Sequence, residues 1–139
     1  MSEQWTRWAT VEGSAKTFPQ TMAVGPHKWT ADEPVEKGGT DTGPEPFEIL
    51  SSALGACTSL TLGIYARNKG LPLDHVRVRV RHGKAPAPEG TGTVDVLERE
   101  IELTGDLTED QRKRLLEIAE KCPVHKALTR GVSVRSKLV

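Results

Sequence analysis

The sequence has very few of the residues that mark the common functional classes. It contains only two cysteines, Cys57 and Cys122, and no Cys-x-x-Cys pair, so cysteine alone cannot supply the four ligands of a closed zinc site. Lys and Arg balance Asp and Glu at 19 each, which leaves no net charge to attract nucleic acid or an anionic membrane. No uninterrupted apolar run approaches the length of a membrane span. The first residues lack a basic segment followed by an apolar one, so no secretory signal is expected.

These absences predict a cytoplasmic protein with one domain, residues 1–139. In a reducing cytosol, a cysteine pair is more often transient and catalytic than a permanent disulfide. His125 follows Cys122 by three residues, and this spacing keeps zinc binding as a minor alternative. Whether Cys57 and Cys122 meet in the fold therefore decides whether the chain can carry thiol chemistry.

The first part of the chain predicts an antiparallel meander followed by a long helix. Residues 4–12, 16–24 and 27–32 are extended in pattern, with glycine-containing turns between them. A helix is expected at residues 45–68, and its apolar residues cover more than one face. We expect it to be buried on most sides, with a partner subunit completing the cover in a homodimer. The three tryptophans (Trp5, Trp8 and Trp29) are expected to fill the core or the interface.

Two strands should follow, at residues 75–82 and 93–103, with a flexible segment at 84–92 between them. Arg99 shares the apolar phase of the second strand, where an arginine is unusual. One interpretation is a bulge or edge position that lets Arg99 reach solvent. The other is a buried cation that serves a site.

The remaining chain predicts two helices and a last strand. Thr108 and Gln111 have the spacing of a capping box, and Pro123 should end the helix that Thr108 opens. A third helix can begin at Pro123, with Cys122 as its cap, and finish at Gly131. Residues 132–138 alternate between apolar and polar residues and predict a strand.

Three stretches of the sequence resemble the OsmC/Ohr family, the osmotically inducible and organic hydroperoxide resistance proteins. They are residues 40–58 (TDTGPEPFEILSSALGACT), 100–107 (EIELTGDL) and 119–126 (AEKCPVHK). Their order, spacing and helical context match the family across residues 25–138. The resemblance implies an α/β (α+β) fold in which antiparallel sheets wrap around two central helices in an intertwined homodimer.

The resemblance also implies a cysteine-based peroxidase that acts on organic hydroperoxides. Cys57 matches the cysteine that attacks the peroxide, and Cys122 matches the cysteine that resolves the resulting sulfenic acid into a disulfide. An external dithiol, in some members a lipoyl protein, then reduces that disulfide. Neither a cofactor nor a metal is implied.

The chain departs from the peroxidase pattern at two supporting residues. The family has a glutamate ten residues before the first cysteine, whereas here Phe47 holds that position and Glu48 is nine residues back. At about 100° per residue, Glu48 falls on the helix face opposite Cys57, so it either serves a partner's site or complements the helix N-terminus. The family's arginine in the meander also has no counterpart in residues 12–18, although Arg99 can replace it from another strand.

Physical chemistry and the resemblance disagree about which thiol is activated. The expected place of Cys122 at a helix N-terminus favours its thiolate, whereas Cys57 should have a pKa raised by burial unless a cation lies nearby. Three functions therefore stay open. The chain is a thiol peroxidase, or a small-molecule binding protein with weak or no turnover, or a protein in which both cysteines only fill the core.

Overall fold

The computed structural model describes residues 2–139 and has a mixed α/β (α+β) architecture. It contains five strands, three α-helices and a short 3₁₀ helix at Val35–Lys37. The chain divides into two compact units, one ending at Ile49 and the other comprising Leu50–Val139. The mixed fold class expected from the sequence is confirmed.

The first unit contains the predicted meander. Strands β1 (Thr10–Glu12), β2 (Gln20–Val24) and β3 (His27–Ala31) form an antiparallel sheet in that order. The strands are shorter than predicted, above all β1, because only Thr10–Glu12 pairs with β2. Trp5 and Trp8 precede β1 and are 74% and 89% exposed, so the expectation that they fill the core is wrong within one chain.

A buried carboxylate organises the loop after β3. Asp32 accepts hydrogen bonds from the hydroxyl of Thr40 at 2.6 Å and from that of Thr42 at 2.7 Å. The backbone N–H groups of Glu33, Thr40 and Thr42 also donate to it. These donors, Thr40 first, outweigh burial and hold the pKa of Asp32 well below its usual range. The loop is thereby tied back onto the end of β3.

Helix α1 (Pro46–Lys69) matches the predicted bounds within one residue at each end. Its buried residues form one stripe at helical spacing: Ser51, Leu54, Thr58, Leu62 and Ala66. Leu60 and Ile64 are 65% and 50% exposed. The expectation of burial on most sides is therefore wrong within one chain, because a chain of this size covers only one face of so long a helix.

The second unit contains a two-stranded hairpin. Strands β4 (His75–Pro86) and β5 (Thr93–Thr104) pair without interruption from His75↔Thr104 to Pro86↔Thr93. The loop is therefore shorter than the predicted 84–92, because residues 84–86 still pair with β5. No bulge interrupts this ladder at Arg99, which pairs with Val80. The bulge interpretation of Arg99 is wrong.

Helix α2 (Glu109–Ala119) packs with α1 to form the core of this unit. Leu62 of α1 clusters with Leu115, Ile118 and Ala119 of α2. Partly buried residues of the hairpin and its flanking loops complete the cluster, among them Val76, Ile101 and Leu103. The predicted capping box is present, since Thr108 accepts from the N–H of Gln111 and the Gln111 side chain accepts from the N–H of Thr108.

Helix α3 (Pro123–Arg130) begins at the predicted proline, with Cys122 as its N-cap and Gly131 as its C-cap. The predicted last strand is wrong, because residues 132–139 form neither helix nor strand. Val134 and Leu138 are 84% and 101% exposed. Alternation gives a segment two faces, but a strand also requires a ladder of hydrogen bonds with a neighbour.

By length and composition alone, α1 is apolar enough to cross a membrane, with a mean hydropathy of 1.5 over its most apolar window. The sequence contains no unbroken apolar run there because serines and threonines interrupt it. A core helix of a soluble protein has the same composition, and Leu62 of α1 is fully buried in the core cluster. The helix is therefore weak evidence for a membrane span.

Candidate functional site: a close pair of thiols

The fold brings the two cysteines together. Cys57 lies on α1 and is partly buried, and Cys122 lies at the N-terminus of α3 and is fully buried. Both are free thiols, and they lie close enough that each shifts the pKa of the other.

The first N–H groups of α3 lie near the sulfurs. That of Val124 acts to lower the pKa of both thiols, and that of His125 acts to lower the pKa of Cys122. The Cys122 side chain itself makes no capping hydrogen bond with α3. Pro123 at the first helical position has no N–H to satisfy.

Threonine hydroxyls complete the polar surroundings of the pair. The side chain of Thr58 lies beside Cys122 and acts to lower its pKa, and that of Thr61 does the same for Cys57. The Thr58 hydroxyl donates to the carbonyl oxygen of Leu54 at 2.7 Å.

The surroundings shift the pKa values of the two thiols in opposite directions. Burial raises the pKa of Cys57 most, and the interaction with Cys122, in which the Cys57 thiol is the donor, raises it further. Burial alone would also raise the pKa of Cys122, but hydrogen bonds from Cys57, the α3 amides and Thr58 outweigh it and lower that pKa. The direction agrees with the local expectation that a helix N-terminus favours the Cys122 thiolate.

Arg99 reaches this site from β5 and is largely buried, with 11% of its side chain exposed. Its Nη1 donates to Thr58 Oγ1 at 3.0 Å and lies 3.5 Å from the carbonyl oxygen of Ala119. The guanidinium also lies 3.7 Å from Glu120. Arg99 is thus connected to Cys122 through the Thr58 hydroxyl.

Glu120 contacts Arg99 and His125 beside the thiols. Its carboxylate lies 2.9 Å from His125 Nε2, in addition to its contact with Arg99. His125 is one-quarter exposed at its side chain, as expected of a histidine near a helix surface. The imidazole is therefore engaged with Glu120.

Glu48 is engaged at the other end of α1. Its Oε1 accepts a hydrogen bond of 2.9 Å from the N–H of Glu45, in the first turn of the helix. This contact corresponds to the N-terminal role that its sequence position allowed. That Glu48 contributes to the thiol site of a partner subunit remains a prediction.

Of the residues that the sequence put forward, Cys57, Cys122 and Arg99 lie together here, whereas Glu48 lies at the N-terminus of α1. Three contacts of the site were missed. Thr58 and Thr61 were hard to find because a threonine inside an apolar helix usually bonds to its own backbone. Glu120 was missed because a glutamate near a helix end is normally solvated. Within residues 2–139 no three His, Cys, Asp or Glu side chains cluster closely enough to hold a metal ion.

The comparisons agree with this fold. The family model described as "OsmC-like protein" matches residues 39–137, and the chain therefore belongs to the OsmC-like protein family. The matched segment contains both cysteines, Arg99 and all three α-helices. No curated protein sequence matches the chain.

Solved structures of the same fold come from several bacteria. An OsmC-like protein of Mycoplasma pneumoniae aligns with a TM-score of 0.74 at 18% identity, covering 91% of this chain and 89% of its own. A structure from Psychrobacter arcticus, described as a putative osmotic stress induced and detoxification response protein, has a TM-score of 0.73 at 19% identity, with 91% of each chain covered. An organic hydroperoxide resistance protein of Bacillus subtilis has a TM-score of 0.66 at 22% identity, covering 91% of this chain and 92% of its own.

Proposed function

We propose that the protein is a thiol-dependent peroxidase that reduces organic hydroperoxides in oxidative-stress defence. The observation that carries the proposal is the close pair of free thiols in a chain of the OsmC-like family. The hydroperoxide substrate is suggested by the structural relatives that are named organic hydroperoxide resistance proteins.

In the proposed reaction, Cys57 attacks and Cys122 resolves. The Cys57 thiolate attacks the terminal oxygen of the hydroperoxide, the O–O bond breaks, and the alkoxide takes a proton and leaves as an alcohol. Cys57 is then a sulfenic acid. The sulfur of Cys122 attacks that of Cys57 and expels hydroxide, which forms a disulfide, and an external dithiol reduces the disulfide by exchange.

Access supports this assignment of roles. Cys57 retains some exposure, whereas Cys122 is fully buried, so a peroxide reaches Cys57 first. Cys122 lies near the sulfur that it has to attack, since each thiol shifts the pKa of the other. Arg99 donates to Thr58, which lies beside Cys122.

Turnover of cumene hydroperoxide with a dithiol reductant tests the function. We expect catalytic consumption by the wild type and none by Cys57→Ser, because the attacking sulfur is absent. Cys122→Ser should consume one equivalent and retain a sulfenic acid on Cys57, detected by mass spectrometry. A protein whose thiols remain unmodified after one equivalent of peroxide would contradict the proposal.

A second candidate is a small-molecule binding protein with weak or no turnover. The hydrogen bond between Glu48 and the N–H of Glu45 favours it, because that carboxylate is engaged at the helix N-terminus. In this case the thiols would be oxidised by one equivalent of peroxide, but steady-state consumption would remain at the background rate.

We propose that the protein acts in the cytoplasm as a homodimer. Its reductant would be an external dithiol, for example a lipoyl protein. Two free thiols held in contact are compatible with a reducing compartment. The exposed apolar residues of α1, Leu60 and Ile64, favour a second subunit as their cover.

A further inference from the structure

Arg99 is an arginine in an otherwise apolar row of β5. It lies between Leu97 and Ile101, which are partly buried, and only 11% of its own side chain is exposed. A guanidinium that loses its water in this way costs free energy unless other groups replace the lost hydrogen bonds. The groups that replace them therefore indicate what Arg99 does in the fold.

One nitrogen of Arg99 reaches both elements that carry the thiols. Nη1 donates to Thr58 Oγ1 at 3.0 Å, and Thr58 directly follows Cys57 on α1. The same nitrogen lies 3.5 Å from the carbonyl oxygen of Ala119, the last residue of α2. That oxygen also accepts a hydrogen bond of 3.3 Å from the backbone N–H of Cys122. Arg99 thus lies against the carbonyl group that holds the backbone of Cys122.

A second branch of contacts spans Cys122 on its outer side. The guanidinium lies 3.7 Å from Glu120, and Glu120 lies 2.9 Å from His125 Nε2 in the first turn of α3. Glu120 precedes Cys122 and His125 follows it, so their contact closes a short loop around this cysteine. The Glu120 side chain is 60% exposed, so water screens this branch. The buried branch through Thr58 should therefore contribute more.

We propose that Arg99 is a positioning residue that holds Cys122 next to Cys57 for disulfide formation, because it joins α1 to the end of α2. The inference rests on the proposed peroxidase function and concerns its second chemical step. In that step the Cys122 thiol loses its proton, its sulfur displaces hydroxide from the sulfenic acid on Cys57, and the S–S bond forms with release of water. An intramolecular reaction of this kind depends steeply on the placement of the two reacting atoms.

Single-turnover kinetics separate this role from activation of the attacking thiol. The reduced protein is mixed with one equivalent of cumene hydroperoxide without reductant and quenched at intervals. Mass spectrometry then measures the sulfenic acid on Cys57 and the disulfide. We expect Arg99→Met, which continues the apolar row, to form the sulfenic acid at the wild-type rate. Its conversion into the disulfide should be slower by roughly tenfold or more, the effect of losing a hydrogen bond from a charged group.

An unchanged rate of disulfide formation in Arg99→Met would overturn the proposal, whatever happens to the first oxidation. Equal slowing of both steps would also overturn it, because that result indicates general damage. Arg77→Met, at an exposed arginine of β4, is the matched control and should keep the wild-type rate of each step.

Thr58 tests the buried branch independently. Thr58→Val removes the hydroxyl that accepts from Arg99, and it should slow disulfide formation, whereas Thr58→Ser should keep most of the wild-type rate. In the double variant with Arg99→Met the two losses should not add, because both substitutions remove the same hydrogen bond. Full additivity would contradict the connection. Since Thr58→Val leaves Arg99 in place, it decides the question even if Arg99→Met does not fold.

The thiol–disulfide equilibrium tests the positioning without any peroxide. Glutathione disulfide oxidises the pair and releases two molecules of glutathione for each protein disulfide formed. We expect Arg99→Met to lower the equilibrium constant for the protein disulfide by about tenfold, which raises its reduction potential by about 30 mV. An unchanged potential would overturn the proposal. A wild type that forms no sulfenic acid with peroxide would instead contradict the peroxidase function, while this equilibrium would still decide whether Arg99 positions the pair.

Discussion

At the scale of single residues, Asp32 shows how one carboxylate holds a loop. Its pKa is lowered, Thr40 first among the causes, so the folded value lies below the unfolded value of about 3.9. The ionised carboxylate therefore stabilises the fold above about pH 4. This contribution is lost as the pH falls through the pKa of Asp32 in the folded protein. We expect Asp32→Asn to lower the free energy of unfolding at pH 7, because an amide NH₂ opposes the Thr40 and Thr42 donors.

Urea unfolding of both proteins between neutral and acid pH measures this effect. The difference in the free energy of unfolding between wild type and Asp32→Asn should be largest at pH 7. It should decrease below a pH of about 4, which is the pKa of an aspartate in the unfolded chain. Asp106→Asn, at an exposed aspartate, is the control and should follow the wild type. A gap that is constant with pH would show that packing, and not ionisation, accounts for it.

The residues of the site were only partly predictable. Cys57 and Cys122 were identified because their positions match a family, although nothing local in the sequence brings them together. The buried location of Arg99 follows from its phase in the strand, but its partner Thr58 depends on how β5 and α1 pack. Periodicity shows which side of an element faces the core, and it does not show which residue of another element lies opposite.

At the scale of elements, local signals were sufficient for helices and insufficient for strands. The capping box at Thr108 and the proline at position 123 correctly predict where α2 and α3 begin. Residues 132–138 alternate as well as β4 does, yet only β4 has a partner strand. Helix signals act within a few residues, whereas a strand depends on a remote partner, so alternation alone does not establish one.

Gly105, between β5 and α2, provides a test at this scale. Its φ is +148°, and an added Cβ would lie 2.0 Å from the carbonyl oxygen of Pro72. We expect Gly105→Ala to lower the free energy of unfolding by about 1–3 kcal/mol, the range for overpacking. Chemical denaturation measures it.

Gly83 is a suitable control because it lies in β4 with nothing within 4 Å of an added Cβ. Gly83→Ala should leave the stability unchanged or raise it slightly, since alanine restricts the unfolded chain. Equal destabilisation by both substitutions would mean that the close approach to Pro72 is not the cause of the loss.

At the scale of the whole molecule, the exposed side of α1 is the main feature that one chain leaves without an explanation. Leu60 and Ile64 lie one turn apart, so they form one apolar strip on the helix surface. A twofold dimer would bring two copies of this strip together. Fully burying each such side chain stabilises by about 1.5–3 kcal/mol, and a dimer would bury four of them.

We therefore expect the wild type to be a dimer at micromolar concentration and Leu60→Glu to be a monomer, because a carboxylate in an apolar interface loses its water without gaining a partner. Size-exclusion chromatography with light scattering measures the mass. Leu60→Met keeps the strip apolar and should remain dimeric. Far-ultraviolet circular dichroism should show both variants to be folded, since Leu60 is 65% exposed in the chain. A dimeric Leu60→Glu variant would show that the interface lies elsewhere. A monomeric wild type would contradict the predicted homodimer.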